Sequence, residues 1–585
     1  MRLPLFYLLS LGFSASGFAQ KNFEKTPFEL DNKQTATYEQ CISFYQKLAA
    51  ASPMIKFMEA GATDSGKPLH FFIFSKSGEF DPVKLREQNK RIIFINNGIH
   101  PGEPEGIDAT MMLLRDYLQS SEKMEALENV VLVGIPVYNV GGALNRNSHS
   151  RTNQNGPASY GFRGNAKNLD LNRDFIKCDS RNAQSFNQLF AAWQPDVLVD
   201  NHTSNGADYQ YTLTLLATQK DKLETPLADY LTNGILPKLY ENMKKRGWEM
   251  CPYVNARETP DEGIYGFLDL PRFATGYAAL HQTLGFTVET HMLKPFPDRV
   301  WATYHFIDAL IALVHKDANA IGLTREKAKL AARSKQKFDL AWTVDKDKED
   351  KFLFKGYEAK YKPSEVSGLQ RLYYDRQAPY EKEIPFWNNF KPTLTVEKPV
   401  AYIIPQAYEA VAERLRWNGA EVKRLAEDAL LECAFYTIKN YETSKNAYEG
   451  HYLHSKVEVE KTTKTRQFYA GDYVVFTDQL INRYIVETLE PQAPDSYFAW
   501  NFFDGILMQK EYFSDYVFED LAAQYLEENP DLKARLEKKK LDDPEFAKDA
   551  TTQLEFVYKN SPHYEPTHQL YPVGRLEKFV DLKMR

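Results

Sequence analysis

The chain has 585 residues, of which 43% are hydrophobic and 26% charged, a composition typical of a soluble globular protein with several domains. The net charge of −7 argues against a nucleic-acid-binding protein, which usually carries a basic surface. Four cysteines, none in a Cys-x-x-Cys pair, are too few and too scattered for a disulfide framework.

Residues 1–19 have the pattern of a secretory signal peptide. Arg2 provides a positive charge, Leu3–Phe13 is apolar, and small residues precede Gln20. A membrane anchor is the alternative, but the apolar run is shorter than the ~20 residues that a spanning helix needs. No later stretch of the sequence is long and apolar enough to span. We therefore expect a secreted or periplasmic protein without stable membrane insertion after signal removal.

The next part of the chain, residues 20–320, reads as one α/β domain. Residues 20–60 show helical spacing of apolar side chains. Strands are predicted at Leu69–Phe74, Arg91–Ile95, Val130–Val137, Asp196–Val199 and Gly285–Val288, and helices at Glu105–Leu118 and Thr225–Lys245. Continuously apolar strands that alternate with helices predict a mixed, mainly parallel sheet flanked by helices.

Three of these predicted strands lead into side chains that can bind a metal or move a proton. His100 and Glu103 follow the strand Arg91–Ile95, His202 follows Asp196–Val199, and Glu289 follows Gly285–Val288. Each alone would more often be a cap or a surface residue. Sites in such sheets lie at the carboxyl ends of the strands, so we expect the four to meet there. His100, Glu103 and His202 would hold one Zn²⁺ and leave a fourth position open for water, as a catalytic zinc requires.

The loop at residues 148–175 is rich in Asn, Gly, Ser and Arg. Asp170, Asn172 and Asp174 alternate with Leu171, Arg173 and Phe175, so an extended segment could direct two polar groups toward one pocket. The fork of Arg173 matches a carboxylate with two hydrogen bonds. The alternative is a solvated loop without a ligand.

Taken together, these segments resemble the zinc metallocarboxypeptidases of the carboxypeptidase A type. The resemblance covers about residues 40–315, half of the chain. It rests on HPGE at 100–103, YNVGG at 138–142, NLDLNRDF at 168–175, DNHTSNG at 200–206 and FTVET at 286–290. The Asn-Pro-Asp-Gly turn that is usual in the family reads Asn-Val-Gly-Gly at residues 139–142, without the proline and the acid.

The resemblance also implies roles for single residues. Zinc would be bound by the His-Glu-His set named above. Asn172 and Arg173 would hold the terminal carboxylate of the substrate, and Asp170 would orient His100. Glu289 would be the general base, and Arg151 would polarise the scissile carbonyl.

Some of these roles have rival residues. Arg146 and Arg163 compete with Arg151. The mobile tyrosine of the family has two candidates, Tyr265 and Tyr277, which could instead pack in the core or at the rim. His291 would share the face of Glu289 on a continuing strand, but the zinc set is complete without it.

The expected function is hydrolysis of the C-terminal peptide bond of peptides or proteins through a zinc-activated water. One alternative is a zinc amidase or endopeptidase acting on cell-wall peptides. Another is a non-catalytic peptide- or glycan-binding protein on the same scaffold. The pocket for the substrate side chain should come from residues 255–285, where Arg257, Arg272 and Asp269 are candidates with opposite consequences.

The second half carries no catalytic motif that we recognise. Residues 321–350 predict a charged helical connector, and residues 351–585 an α+β accessory region of unknown function. Within it, strands are expected at Lys351–Asp375 and Thr393–Val396, a small α/β unit at 400–425, a β pair formed by Tyr452–Val459 and Gln467–Phe476, and an exposed helix at Leu532–Lys540. The aromatic segment 497–526 favours core packing or docking onto the first domain over ligand binding.

Overall fold

The computed structural model describes residues 23–585, so the expected signal peptide lies outside the described residues. Among these residues, no helix is both long and apolar enough to cross a membrane. The N-terminal half is built on an eight-stranded sheet. The C-terminal half forms a six-stranded sheet and a two-stranded one, and two of its strands join a short strand of the N-terminal half in a three-stranded sheet.

The strands are β1 Ile55–Ala62, β2 Pro68–Phe74, β3 Arg91–Asn96, β4 Val130–Ile135, β5 Val197–Ser204, β6 Leu213–Ala217, β7 Met250–Pro252, β8 Ile264–Tyr265, β9 Leu284–His291, β10 Lys337–Val344, β11 Asp350–Pro363, β12 Gln370–Trp387, β13 Phe390–Glu397, β14 Ala401–Ile404, β15 Lys423–Arg424, β16 Ala429–Thr443, β17 His454–Phe468, β18 Tyr473–Phe476 and β19 Gly574–Leu576. The α-helices are α1 Pro27–Leu30, α2 Tyr38–Ala51, α3 Pro82–Glu87, α4 Glu105–Gln119, α5 Ser121–Glu125, α6 Val140–Leu144, α7 Arg181–Trp193, α8 Thr225–Asp229, α9 Leu236–Lys245, α10 Ala274–Leu280, α11 Phe296–Lys316, α12 Ala318–Ser334, α13 Glu409–Trp417, α14 Asn482–Leu489, α15 Asp515–Glu528, α16 Pro530–Asp542 and α17 Ala550–Lys559. A π-helical turn, Tyr230–Ile235, joins α8 to α9.

The large sheet has the strand order β1-β2-β4-β3-β5-β9-β6-β7. Its centre, β4, β3, β5 and β9, is parallel. On one side β2 pairs antiparallel with β4 and β1 with β2; on the other, β6 pairs antiparallel with β9 and parallel with β7. Alternate residues of the parallel strands pack against α4 and α11 on one face and against α7 and α10 on the other. The expectation of a mixed, mainly parallel sheet flanked by helices is therefore confirmed.

Two central strands are longer than the sequence predicted. β5 continues to Ser204 and β9 to His291, so His202 and Glu289 lie within the strands rather than after them. Near the N-terminus, residues 20–60 were predicted to be helical. This is right for α2 but wrong for the last residues of the segment. Ile55–Ala62 forms an edge strand because it pairs antiparallel with β2.

The C-terminal half differs from expectation in its pairing. The helical connector is helical only to Ser334, after which β10 pairs with β13. The predicted β pair is wrong, because β17 pairs along its length with β16, while β18 pairs with β14 and β15. A long hairpin offers an adjacent partner for every residue of β17, which the short β18 cannot do.

The two halves share one hydrophobic core. Phe190 and Tyr277 of the first half and Tyr484, Tyr497 and Trp500 of the second belong to the same buried cluster. The prediction that the aromatic segment 497–526 packs in the core or docks onto the first domain is confirmed at the start of that segment, where Tyr497 and Trp500 are buried. Further along, Tyr512, Tyr516 and Val517 are exposed. Because of this shared core, the loops of the second half can reach the carboxyl edge of the large sheet.

Candidate active site

A polar cavity of about 340 Å³ opens at the carboxyl ends of the parallel strands. Four of the predicted site residues from the strands and the loops after them, His100, Glu103, His202 and Glu289, line it. The other lining residues are Arg151, Arg163, Asn172, Arg173, Thr203, Ser204, Asn205, Leu216, Tyr253, Phe267, Asp269, Phe273, Ala274, Thr287 and Met292. The cavity therefore gathers the predicted metal set, base and carboxylate-binding pair.

A tight turn after β3 places the first two predicted metal ligands, His100 and Glu103. The amide of Glu103 donates to the carbonyl of His100 at 2.8 Å, which closes the turn. Gly102 lies inside it, and a Cβ there would stand 2.6 Å from Cδ of Arg151. Glycine is needed because the arginine side chain packs directly against this backbone.

The three predicted metal ligands converge. Nδ1 of His100 lies 3.3 Å from Oε1 of Glu103, and Nδ1 of His202 lies 3.1 Å from Oε2 of the same carboxylate. One atom from each residue can be chosen so that all three lie within 4.8 Å of one another. Apart from these contacts with Glu103, Nδ1 of His100 is buried and has no hydrogen-bond partner among the described residues. This donor set fits a metal ion.

Two aspartates fix the orientation of the imidazoles. Asp170 Oδ1 accepts from Nε2 of His100 at 2.8 Å, and Asp200 Oδ2 accepts from Nε2 of His202 at 2.8 Å. A proton held on Nε2 leaves the lone pair on Nδ1 for a metal. The sequence interpretation identified Asp170 but missed Asp200. Its signal was available, since a residue two positions before His202 shares its face of a strand.

The cations around the metal set keep Glu103 ionised. Burial alone would raise its pKa, but the positive charges around it, that of Arg151 above all, hold that pKa well below the usual range. An ionised carboxylate is the form that binds a metal.

Glu289 lies beside the metal set. In the parallel pairing of β5 with β9 it is the register partner of His202. Burial raises the pKa of Glu289 to about 8, with Glu103 and Asp200 adding to the effect and His202 and Arg163 opposing it. A carboxylate with a raised pKa beside a metal site can accept and return a proton near neutral pH.

The three candidate arginines take different places. Arg146 is outside the cavity, where it donates to the carbonyls of Ala36 and Ser159. Arg151 is 13% exposed and held by Glu103 at 2.9 Å and Gln154 at 2.5 Å. Arg163, by contrast, is 45% exposed.

The environment of Arg163 links it to both sides of the site. Its Nη2 lies 2.9 Å from Asp170, and its Nη1 lies 3.4 Å from Glu103. Its charge also lowers the pKa of Glu289 against the dominant effect of burial. Arg163 is thus the most open cation of the three and is electrostatically coupled to the candidate base.

Asn172 and Arg173 lie in a single 3₁₀ turn, Leu171–Arg173, at the cavity wall. The guanidinium of Arg173 stacks on Phe273, with 4.3 Å between Cζ and the ring centroid. Its Nη1 donates to the carbonyl of Asn172 at 2.8 Å. The side-chain Oδ1 of Asn172 is buried without a partner among the described residues. The pair could hold an anionic ligand group.

The predictions for the tyrosines are not supported. Tyr277 is fully buried in the core, where its hydroxyl donates to Asn418 at 2.6 Å, so it cannot reach a substrate. Tyr265 stacks on Trp387 and is not among the lining residues. His291 is also outside the cavity wall, and its Nε2 contacts the carbonyl of Ala207 at 2.9 Å.

Two aromatic side chains that the sequence did not single out lie in the cavity wall. Tyr253 and Phe267 line the cavity, and their rings pack edge to face, 5.9 Å apart. Burial is the main factor that raises the pKa of Tyr253. Both residues come from a segment of mostly irregular structure between β7 and α10, which shows no periodic pattern in the sequence.

Of the three charged candidates in residues 255–285, Asp269 alone lines the cavity. Its Oδ2 accepts from the amides of Thr275 and Gly276 at the start of α10. Arg272 is turned away and pairs with Asp495 at 2.8 Å. Arg257 lies over the ring of Tyr265.

Comparison with known proteins gives a consistent set of similarities. Residues 41–213 match the model of the zinc carboxypeptidase family, peptidase M14. Carboxypeptidase 2 of Trichophyton rubrum is 22% identical over 529 residues, covering 84% of this chain and 87% of that protein. Carboxypeptidase 2 of Trichophyton equinum is 20% identical over 513 residues, with the same coverage of 84% and 87%. At this coverage the similarity extends into the C-terminal half.

Solved structures give weaker global matches. A metallo-carboxypeptidase from Burkholderia cenocepacia has 16% identity and a TM-score of 0.37, covering 48% of this chain and 70% of that one. A metallo-carboxypeptidase from Pseudomonas aeruginosa, in complex with (2-guanidinoethylmercapto)succinic acid, has 15% identity and a TM-score of 0.37, covering 49% and 70%.

Proposed function

We propose that this chain, which belongs to the zinc carboxypeptidase family, is an exported enzyme that removes single residues from the free C-terminus of peptides or proteins. The observation that carries the proposal is the convergence of the His-Glu-His set, the neighbouring Glu289 and the pair Asn172–Arg173 on one cavity. Export rests on the signal-like sequence of residues 1–19.

One Zn²⁺ is the metal we assign to His100, Glu103 and His202. Two imidazoles and one carboxylate are a common ligand set of catalytic zinc. The ion would lower the pKa of a water molecule toward ~7 and polarise the substrate carbonyl.

The chain itself supplies the proton transfer and the charge around the reacting carbonyl. Glu289 accepts a proton from the attacking water and passes it to the leaving amine. Arg163, rather than the expected Arg151, is our choice for the cation that stabilises the developing oxyanion, because it is the more exposed and acts on Glu289. Arg151 then serves to hold Glu103 in place.

Selection of a free C-terminus would come from Arg173. A guanidinium that pairs with a carboxylate through two hydrogen bonds loses that partner when the substrate ends in an amide. The loss is costly because the largely buried cation then keeps only the more distant carboxylate of Asp170, at 3.9 Å, as an anionic partner. Free-acid peptides should therefore be cleaved and their amides spared.

The test is mass spectrometry of a peptide mixture incubated with the zinc-loaded protein, in which each sequence is present as free acid and as C-terminal amide. Loss of single C-terminal residues from the free acids alone supports the proposal. Internal cleavage, or equal attack on the amides, would contradict the role of Arg173 and favour the amidase alternative. Zinc binding without cleavage of any peptide would favour a binding protein.

A further inference from the structure

A tight turn of the C-terminal half lies against the active-site loop. It is found at the tip of the β16–β17 hairpin, where Tyr448 and His451 exchange two backbone hydrogen bonds of 2.7 and 3.0 Å. Between them, Glu449 and Gly450 have φ angles of 50° and 83°. Two central residues with positive φ are the signature of a type I′ hairpin turn. The tip is therefore closed by its own backbone.

Tyr448 contacts the proposed carboxylate-binding arginine. Its hydroxyl accepts a hydrogen bond from Nε of Arg173 at 2.9 Å. The tyrosine ring is itself stacked on the buried Trp500, with 6.1 Å between centroids. Arg173 is held further by the ring of Phe273 on its face and by the carbonyl of Asn172 at its Nη1, which also lies 3.9 Å from Oδ2 of Asp170. None of these contacts uses Nη2.

Glu449 contacts the residue that orients the first metal ligand. Its Oε2 accepts from the amide of Asp170 at 2.6 Å. The carboxylate of Asp170 in turn accepts from Nε2 of His100 and from the amide of Asn172, at 2.8 and 2.9 Å. The turn is fastened on its other side, where Nε2 of His451 lies 2.6 Å from Asp179.

We propose that Tyr448 and Glu449 are positioning residues of the substrate site, so that the C-terminal half completes the binding of the substrate carboxylate. This inference rests on the proposed carboxypeptidase function. A free arginine side chain loses rotamer freedom when it binds a ligand, and an arginine that is already held loses less. Tyr448 restrains Arg173 directly, at Nε. Glu449 restrains the 3₁₀ turn that carries Arg173, because it binds the backbone amide of Asp170 just before that turn.

The expected signature is a change in KM. Contacts to the substrate carboxylate are made equally before and in the transition state, so weakening them raises KM and leaves kcat nearly unchanged. For Tyr448→Phe, which removes one hydroxyl and keeps the ring on Trp500, we expect KM for free-acid peptides to rise roughly 3- to 10-fold. A merely structural role would instead reduce the amount of active protein, and so kcat, at constant KM.

The experiment is steady-state kinetics of the full-length, zinc-loaded protein on a free-acid peptide. The matched control is Tyr452→Phe, which removes a hydroxyl from the same hairpin at a residue that is 55% exposed. A second pair tests Glu449: Glu449→Gln keeps an oxygen acceptor for the Asp170 amide, whereas Glu449→Leu removes it. We expect only Tyr448→Phe and Glu449→Leu to raise KM.

Different results would overturn the roles of Tyr448 and Glu449 and the proposed function of the protein. Wild-type KM values in Tyr448→Phe and Glu449→Leu, with wild-type cleavage of free-acid peptides intact, would overturn this inference and leave the proposed function standing. An equal rise of KM in Tyr452→Phe would also overturn it. If the wild-type protein does not distinguish free acids from amides, both proposals are wrong.

Discussion

His202 and Glu289 lie side by side in register on two neighbouring parallel strands, β5 and β9. The backbone of the sheet thus fixes the candidate base relative to a candidate metal ligand. Strand pairing is a stiffer support than a loop, which suits a group that must stay within hydrogen-bond reach of a reacting water.

The first prediction concerns this base. Glu289→Gln keeps the shape of the side chain but cannot accept a proton, so we expect kcat to fall by at least roughly 10²-fold. Zinc content, measured by mass spectrometry of the intact protein or by atomic absorption, should stay at the wild-type value. Normal turnover in this variant would remove Glu289 from the mechanism.

The second prediction concerns the aspartate behind His202. Asp200→Asn removes the charge that fixes the imidazole tautomer, and loss of such a partner typically weakens metal binding about 10- to 100-fold. Competition with a chelator of known affinity measures the change. The matched control is Asp347→Asn, since the Asp347 side chain is 88% exposed and is not among the residues that line the cavity. Equal zinc affinities in both variants would contradict the role of Asp200.

The third prediction separates the two arginines of the cavity. We expect Arg163→Gln to lower kcat about 10²- to 10³-fold, as loss of an oxyanion-stabilising donor does. Arg151→Gln should act mainly on zinc affinity, because Arg151 pairs with Glu103. Kinetics and zinc titrations of the two variants, measured side by side, distinguish these roles. A fall of kcat in Arg151→Gln and weaker zinc binding in Arg163→Gln would instead make Arg151 the polarising residue.

The fourth prediction concerns stability and pH. Burial, together with the charges of Lys329 and Arg325, lowers the pKa of His281 to about 3. Its Nε2 has no hydrogen-bond partner among the described residues. In the unfolded chain a histidine titrates near 6.5, so the unfolded state gains a proton first as the pH falls. The stability present above pH ~6.5 is then lost progressively toward pH 3.

Replacing His281 with Phe removes this proton uptake. From the difference between the two pKa values, the wild type should lose roughly 2–3 kcal/mol relative to His281→Phe between pH 7 and pH 4.5. Urea unfolding at both pH values measures it. Parallel losses of stability in the two proteins would show that His281 stays protonatable in the folded state.

The fifth prediction concerns the shared core. Trp500 is fully buried, donates to Asp495 at 3.1 Å and lies under the guanidinium of Arg272. Trp500→Ala should lower the free energy of unfolding by about 3–5 kcal/mol. Tyr516→Ala, at a residue 85% exposed, should change it by less than about 0.5 kcal/mol. Similar unfolding curves for both variants would mean that the two halves do not share a core.

The sequence predicted the parts of the site that are set locally or by strand ends. His100 and Glu103 lie on one short turn, and the apolar strands before them and around Glu289 are unmistakable, so their meeting follows from the geometry of a parallel sheet. The choice of a tyrosine failed for a different reason. Tyr277 stands in an alanine-rich helix that is buried on every side, and its depth depends on the C-terminal half that covers it.

Contacts between segments far apart in the chain could not be predicted from the sequence. The pairing of Arg173 with Tyr448 joins residues 275 positions apart, and it depends on where the tip of one hairpin comes to lie. No periodic pattern in either segment indicates this contact. The pairing of β17 with β16 rather than with the residues after it was missed because alternating polar strands fit more than one partner.

The reach of that hairpin has a consequence for biosynthesis. The candidate metal ligands and Glu289 are synthesised long before the tip of the hairpin, so the nascent chain at first carries them without the contacts of Tyr448 and Glu449. Contacts of such sequence separation form late, because a long loop must close before they are gained. If the hairpin tip positions the substrate site as we propose, substrate affinity should reach its final value only after the tip has docked onto the folded N-terminal half.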